Sequence, residues 1–423
     1  MQEDPPHVMN LRVLVLVALI TAFAPLSMDL YLPGLPDLRA DLGASDQEAQ
    51  MTVTLCIVGL ALGQFLASLI PDRFGRRRPL VVGMIGWVIT TALCALGPNI
   101  LVILALRLCQ GLEAGVAIAL ARTVVADLDP DNLSAQLSRM MLVLSVVPVL
   151  APVIGGVVVE VTNWRGLFGG LAATGSVLLL VVILALPESH QPGRKLDARE
   201  PLFGPVKHLA RSPAFLLSAV ISGTGFGVTF SFIGDSAFVF RGHYGLAPVP
   251  YGLIFGLDAL AMIAGLQTGP ILERCTGTKA TLLVATSTGA IGAMAMLVFA
   301  VVAPHVVALM VASLMITLLG GGAVIPVATA AAIDAYPGEV SAASGLCGAF
   351  QFVLGGVLGA LPTLLPFGHG AGPLAGVCLV CLAVGHALSR DLKRAPRRDV
   401  QVMRPRAEPL PAPGSLQLTP EEG

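Results

Sequence analysis

The chain has 423 residues, of which 55% are hydrophobic and only 12% charged, with a formal net charge of -1. Mean hydropathy is +0.83. So few charges, about half the share of a soluble domain, cannot wrap a core this apolar, which excludes a soluble globular protein and makes the bilayer the solvent for most of the surface. The near-zero net charge carries little information because the charges are segregated along the chain. No nucleic-acid partner is expected.

Met1 to Asn10 is acidic and contains proline, and the apolar run from Leu11 outlasts the apolar core of a signal peptide. It therefore reads as a first spanning helix rather than a cleaved leader. Apolar runs of about 20 residues, the length that crosses a bilayer, recur along the chain. They predict twelve spans near 10–33, 48–71, 79–97, 100–124, 139–161, 166–187, 213–240, 250–272, 280–302, 305–328, 338–366 and 371–389. With the amino terminus inside, the outer loops hold only Arg39, Arg165 and Arg241. The inner loops and tails hold Arg73, Arg76, Arg77, Arg78, Arg139, Arg194, Lys195, Arg199, Lys207, Arg211, Arg274, Lys279 and the cluster from Arg390 to Arg406. Cationic loops stay on the cytoplasmic side, so both termini are expected inside.

In span one, Asp29 lies towards the outer end within Ser27-Met-Asp-Leu-Tyr-Leu-Pro33-Gly-Leu-Pro36, where two prolines close the helix. Between spans two and three stands the densest charged hairpin, Ala67 to Pro79, with Asp72, Arg73, the turn glycine Gly75 and then Arg76, Arg77 and Arg78. Arginines beside an acid at a helix end can clamp an inner gate through charge-assisted hydrogen bonds. Span four carries Arg107 in its outer half, at a depth comparable to Asp29. A buried arginine needs a carboxylate or carbonyl partner, and Asp29 is the natural candidate. Glu113 follows six residues later, about 120° around the helix and about 9 Å deeper, facing either the cavity or a neighbouring helix. Such ionisable groups are costly in a membrane and mark the places to seek function.

Span five carries Pro148-Val-Leu-Ala-Pro152-Val-Ile-Gly155-Gly156. Its prolines remove helix hydrogen bonds and its diglycine removes bulk, so the helix can kink and admit a close neighbour. Pro187 to Pro213 is the longest internal polar stretch and divides the chain into halves of six helices. The expected organisation is a bundle over 1–187, a cytoplasmic linker over 188–212, a second bundle over 213–390 and a disordered tail over 391–423. After span eight, Gly269 to Lys279 is a degraded echo of the first cationic hairpin, a sign of an internal repeat. Asp235 falls at the outer end of span seven, at the interface, and Asp258 inside span eight is a secondary cavity candidate. Asp334 reads as solvated and His386 as a packing residue. The seven cysteines show no framework spacing, and Cys378-Leu-Val-Cys381 lies in an apolar helix without redox context. No cluster has metal-ligand spacing and no phosphate-cradling loop occurs, so neither a metal nor another cofactor is expected.

These strings carry a resemblance. The hairpin is similar to the loop between helices two and three of major facilitator superfamily transporters, G-x-x-x-D-R-x-G-R-R/K, with Ser68 in place of the first glycine. Span five is similar to the antiporter motif of drug:proton exchangers, G-P-x-x-G-G, with Ala151 in place of the first glycine. Within the superfamily the chain resembles the bicyclomycin/chloramphenicol-resistance (Bcr/CflA) subfamily. Its first-helix string S-x-D-M-Y-L-P-A-L-P matches Ser27 to Pro36. Its R-x-x-Q-G-x-G-A and R-A-x-V-x-D match Arg107 to Gly115 and Arg122 to Asp127, with Glu113 in place of a small residue. Asn163-Trp164-Arg165 also fits.

The resemblance implies an all-α membrane protein of twelve helices in two pseudo-symmetric six-helix bundles. It implies a monomer in the bacterial inner membrane, exporting small amphipathic molecules in exchange for protons by alternating access. Asp29 and Arg107, joined by Glu113, would carry coupling and binding; Asp72, Arg73, Gly75, Arg76 and Arg77 would form the gating loop; Pro148, Pro152, Gly155 and Gly156 would form the antiporter helix. The alternative is a passive or proton-coupled facilitator of a small metabolite. A membrane enzyme is disfavoured because no nucleophile–base constellation is present.

Overall fold

The structure is a computed structural model describing residues 11–69, 75–128, 133–186, 188, 212–335, 340–364 and 370–392. Asp72 and Arg73, most of the expected linker and nearly all of the expected tail lie outside the described residues. The described chain is helical throughout. In order come α1 (Leu11–Asp29), a short 3₁₀ turn (Leu32–Gly34), α2 (Leu35–Asp41), α3 (Asp46–Leu69), α4 (Arg77–Leu96), α5 (Ile100–Leu128), α6 (Leu133–Val161) and α7 (Trp164–Ala185). Then follow α8 (Pro213–Ala237), extended by a wider π-type turn (Phe238–His243), α9 (Pro248–Thr276), α10 (Thr278–Val302), α11 (Val307–Asp334), α12 (Val340–Leu364) and α13 (Ala371–Asp391).

Eleven helical segments are long and apolar enough to cross a membrane among the described residues, and α12 contributes a shorter apolar stretch, Leu346–Pro362. Large apolar side chains such as Leu96, Leu184 and Val301 are at least 75% exposed. On a bundle of this composition that surface is the lipid-facing one.

Local signals set the ends of the helices. Ser45 and Glu48 form a capping box at the start of α3: the Glu48 amide donates to Ser45 Oγ (3.2 Å) and the Ser45 amide to Glu48 Oε2 (2.8 Å). Asn163 caps α7 by accepting from the Gly166 amide at 3.0 Å, and Ser212 with Pro213 opens α8. The first predicted span ends earlier than expected. Pro33 and Pro36 break the helix after Asp29 into the 3₁₀ turn and α2, because neither proline can donate to the preceding turn. We call this pole of the molecule the α2 end.

Two six-helix bundles result, α1 and α3–α7 in one and α8–α13 in the other. Each is built on a glycine-lined pair. In the first, Gly63 of α3 lies on the backbone of Leu112 in α5, and Gly111 of α5 lies on that of Cys56 in α3. In the second, Gly269 of α9 lies on Ala323 of α11, and Gly322 of α11 lies on Met262 of α9. Small residues let helix backbones meet where lipid offers no hydrophobic drive for association. The equivalent helices, second with fourth in each half, use the same device.

The halves meet along two seams, α6 with α9 and α3 with α12. Their joining contacts gather at the α2 end. Gln50 Nε2 donates to the carbonyl of Gly359 at 2.7 Å. Arg241 Nη1 reaches Asp37 Oδ2 at 2.9 Å and the carbonyl of Pro33. The Val249 amide donates to Glu160 Oε1 at 3.2 Å.

Candidate functional site

Arg107 is among the largest fully buried side chains of the described residues. The proposed partner for it, Asp29, is not the one it finds. Nε donates to the carbonyl of Thr52 in α3 at 3.2 Å, and Nη1 donates to the carbonyl of Ser27 in α1 at 3.1 Å and to Gln110 Oε1. The guanidinium carbon lies 4.3 Å from the Tyr31 ring centre and 5.9 Å from that of Phe168. The physical reason is the proline break: α1 stops at Asp29, so Ser27 is one of its last four residues, whose carbonyls have no partner within the helix. That carbonyl terminus carries partial negative charge and takes the cation directly. Helix-end dipoles and two aromatic faces replace the expected ion pair. Among the described residues, Nη2 has no acceptor.

Polar side chains fix this arginine further. Gln110 Nε2 donates to Thr91 Oγ1 of α4 at 2.7 Å. The hydroxyls of Tyr31 and Thr52 lie 2.7 Å apart. Asp29 is 4% exposed and forms no ion pair with a described residue. Across the seam it acts electrostatically on Tyr251 of α9, whose hydroxyl meets Ser236 Oγ at 3.0 Å.

Glu113 takes the second of its two possible orientations. It faces α4, where Thr90 Oγ1 donates to Oε2 at 2.7 Å and the carboxylate fills the space above Gly86. Asp235, read as interfacial, is instead 5% exposed within the bundle. Asp258 is fully buried, and neither carboxyl oxygen has a partner among the described residues. His386 meets Thr286 Oγ1 at 3.0 Å.

The proline- and glycine-rich helix α6 shows why two adjacent glycines stand there. A Cβ on Gly155 would collide with the carbonyl of Leu30, just beyond the end of α1. A Cβ on Gly156 would stand 2.6 Å from the carbonyl of Pro248, in the other half. One glycine serves packing within the half and the next serves the seam. Pro152, a turn earlier, presents its carbonyl to Gly252 of α9. Pro148 and Pro152 both lie inside the helix.

At the opposite pole, the described part of the cationic hairpin is tied within its own half. Arg76 Nε donates to Asp127 Oδ2 of α5 at 3.1 Å, and the Arg76 amide donates to Glu188 Oε1 at 2.8 Å. Arg77 Nη2 donates to the carbonyl of Ile183. Gly75 has φ +71°, and a Cβ there would lie 2.7 Å from the Glu188 carboxylate, so both conformation and space call for glycine. Sequence reading missed the Asp37–Arg241 bond and the Glu188 contact, each between residues more than a hundred positions apart. A separate cavity of about 450 Å³ lies at the α2 end among His243, Tyr244, Leu297, Gly370 and Pro373, and none of its lining residues is acidic.

A pair of six-helix membrane bundles with a cation buried inside one of them is the architecture of a membrane transporter. The chain belongs to the Major Facilitator Superfamily, whose family model matches residues 17–360. This is a transport family rather than an enzyme family. A relative described as an uncharacterized MFS-type transporter, YdgK of Bacillus subtilis, is 29% identical over 85% of this chain and 90% of its own. The bicyclomycin resistance protein homolog of Haemophilus influenzae is 25% identical over 89% of this chain and 96% of its own. The multidrug resistance protein MdtL of Escherichia coli O45:K1 is 30% identical over 57% of this chain and 62% of its own. These accord with the subfamily resemblance of the first and fourth spans. The fold matches a bacterial homolog of the lysosomal transporter Spinster (TM-score 0.71, 14% identity, 92% of this chain and 98% of that one). It also matches a D-xylose-proton symporter (TM-score 0.68, 15% identity, 88% and 96%).

Proposed function

We propose that the protein is a proton-driven exporter of small amphipathic compounds, working by alternating access in the bacterial inner membrane with both termini cytoplasmic. The observation that carries this reading is the pairing of roles between Arg107 and Asp29. Arg107 is locked by backbone carbonyls and aromatic rings, so its charge is fixed. Asp29, two residues beyond the Ser27 carbonyl that Arg107 takes, is buried without an ion pair to a described residue, so its charge can change. A carboxyl that is not committed to a cation is available to exchange a proton for a substrate contact. The resistance-associated relatives support drugs or similar amphipathic metabolites as cargo.

Positive-inside loops put the cationic hairpin in the cytoplasm and the α2 end outside. The contacts at the α2 end then close the outer side. Alternating access requires that closure to break while the ties of Arg76 and Arg77 within one half keep that half rigid. Fluorescence quenching of a pH dye in inverted membrane vesicles, challenged with a panel of drugs, tests the reading. Substrates should discharge an established proton gradient, and no response to any compound at normal protein abundance would count against proton coupling.

A further inference from the structure

On the second seam, where α3 meets α8 and α12, two buried groups have complementary unmet needs. Gln50 is 2% exposed and reaches across the seam to the carbonyl of Gly359. Its Oε1 is buried and accepts no hydrogen bond from a described residue. The amide packs onto Gly234 of α8, where a Cβ would stand 2.5 Å from Nε2. The residue after Gly234 is Asp235, 5% exposed and without a hydrogen bond or ion pair to any described residue.

The surroundings of Asp235 supply no cation. Asp46 of α3, one turn before Gln50, acts on it across the seam and is itself held by Arg39 at 2.5 Å. From α13 comes the neutral thiol of Cys378, and α9 contributes Tyr251, bonded to the neighbouring Ser236, with Asp258 beyond it. No charged residue occurs in α12, and the only one in α11 is Asp334 at its far end. Arg241, six residues on, is engaged by Asp37 and Pro33. An ionised carboxylate buried beside a like charge is strongly unfavourable, whereas a protonated carboxyl has one O–H to donate, the group that Gln50 Oε1 lacks.

We propose that Asp235 is a proton-binding residue of the seam, which closes the α2 end when protonated, by donating to Gln50 Oε1, and holds that end apart when ionised. The idea deepens the exporter reading and rests on it: a proton taken from outside would license return to the inward-open state. The sign is distinctive. Closure through Asp235 strengthens as pH falls and is lost as pH rises.

The test uses the full chain in lipid nanodiscs without drug. The exposed cysteines Cys109 and Cys275 are replaced by serine, and spin labels are placed at the exposed positions Ala40 and Ala247, one on each half at the α2 end. Distances are measured by pulsed electron paramagnetic resonance from about pH 5.5 to about pH 8.5. The parent protein should pass from mainly short to mainly long distances as pH rises. Asp235→Asn, whose amide donates at every pH, should stay short throughout, and Asp46→Asn should shrink the shift by relieving repulsion. A parent distribution that does not move with pH, or an Asp235→Asn protein that keeps the full shift, overturns the proposal. Failure of drug-driven proton exchange alongside a normal distance shift would instead overturn the exporter reading, so the two are separable.

Discussion

At the scale of single residues, Asp29 and Glu113 are two acids with different surroundings, and the difference sets opposite expectations. Asp29→Asn keeps the volume of a side chain that makes no ion pair, and Arg107 retains its carbonyl partners. Gradient-driven efflux should be lost while membrane abundance stays at the parent level; immunoblots beside efflux assays check both. Glu113→Gln keeps an acceptor for Thr90 Oγ1 on the α4 face. Efflux of a cationic and a neutral drug should both stay within about twofold of the parent rate, the range of a substitution that removes no contact. Arg107→Lys should fail differently. An ammonium cannot reach two carbonyls while lying flat on Tyr31, so melting temperature as well as transport should fall, by about 1–3 kcal/mol of stability for each carbonyl left unpaired. The residues themselves were legible in the sequence because charge in a membrane segment is rare. Their partners were not. Side-chain spacing says nothing about a backbone carbonyl, and the proline break that frees the Ser27 carbonyl only becomes a cation site once α1 is packed beside α5.

At the scale of elements, the diglycine of α6 separates packing from gating. Gly155→Ala drives a methyl group into the carbonyl of Leu30 inside one half, and should lower folded yield and transport together. Gly156→Ala meets Pro248 across the seam and should leave the half folded while loosening closure of the α2 end, at about 1–3 kcal/mol, the usual cost of overpacking. Thermal unfolding separates the two: Gly155→Ala should melt clearly earlier, and Gly156→Ala should show greater labelling of cysteines introduced at the α2 end. Helix type and approximate position were readable from apolar length alone. The first span ends at Asp29 rather than near 33 because the chain turns at Pro33 and restarts as α2 at Leu35. Nothing in Pro-Gly-Leu-Pro alone says that the restarted helix will carry Asp37 to Arg241 in the other half.

At the scale of the whole molecule, alternating access asks the two bundles to part and rejoin. Among the described residues, Asp37–Arg241 is an ion pair between the bundles, with side chains 42% and 13% exposed. Such partly exposed pairs contribute about 0.5 kcal/mol, so Arg241→Gln should shift the balance between closed and open α2 ends by about twofold, and the effect should fade at high salt. Cysteine accessibility at that end, measured at two salt concentrations, checks it. The two-bundle architecture was legible because its signals are global: hydropathy, charge asymmetry and the echoed hairpin. The seam was not, since closure depends on contacts such as Gln50 with Gly359, about three hundred positions apart. The most direct test of the central claim reverses the usual driving force. Purified protein is reconstituted in proteoliposomes with no pH gradient, and a drug gradient alone is imposed. Exchange of drug for protons predicts that drug flux drives protons in the opposite direction, with the movement abolished in Asp29→Asn; drug crossing down its gradient with no proton movement in the parent protein would contradict it.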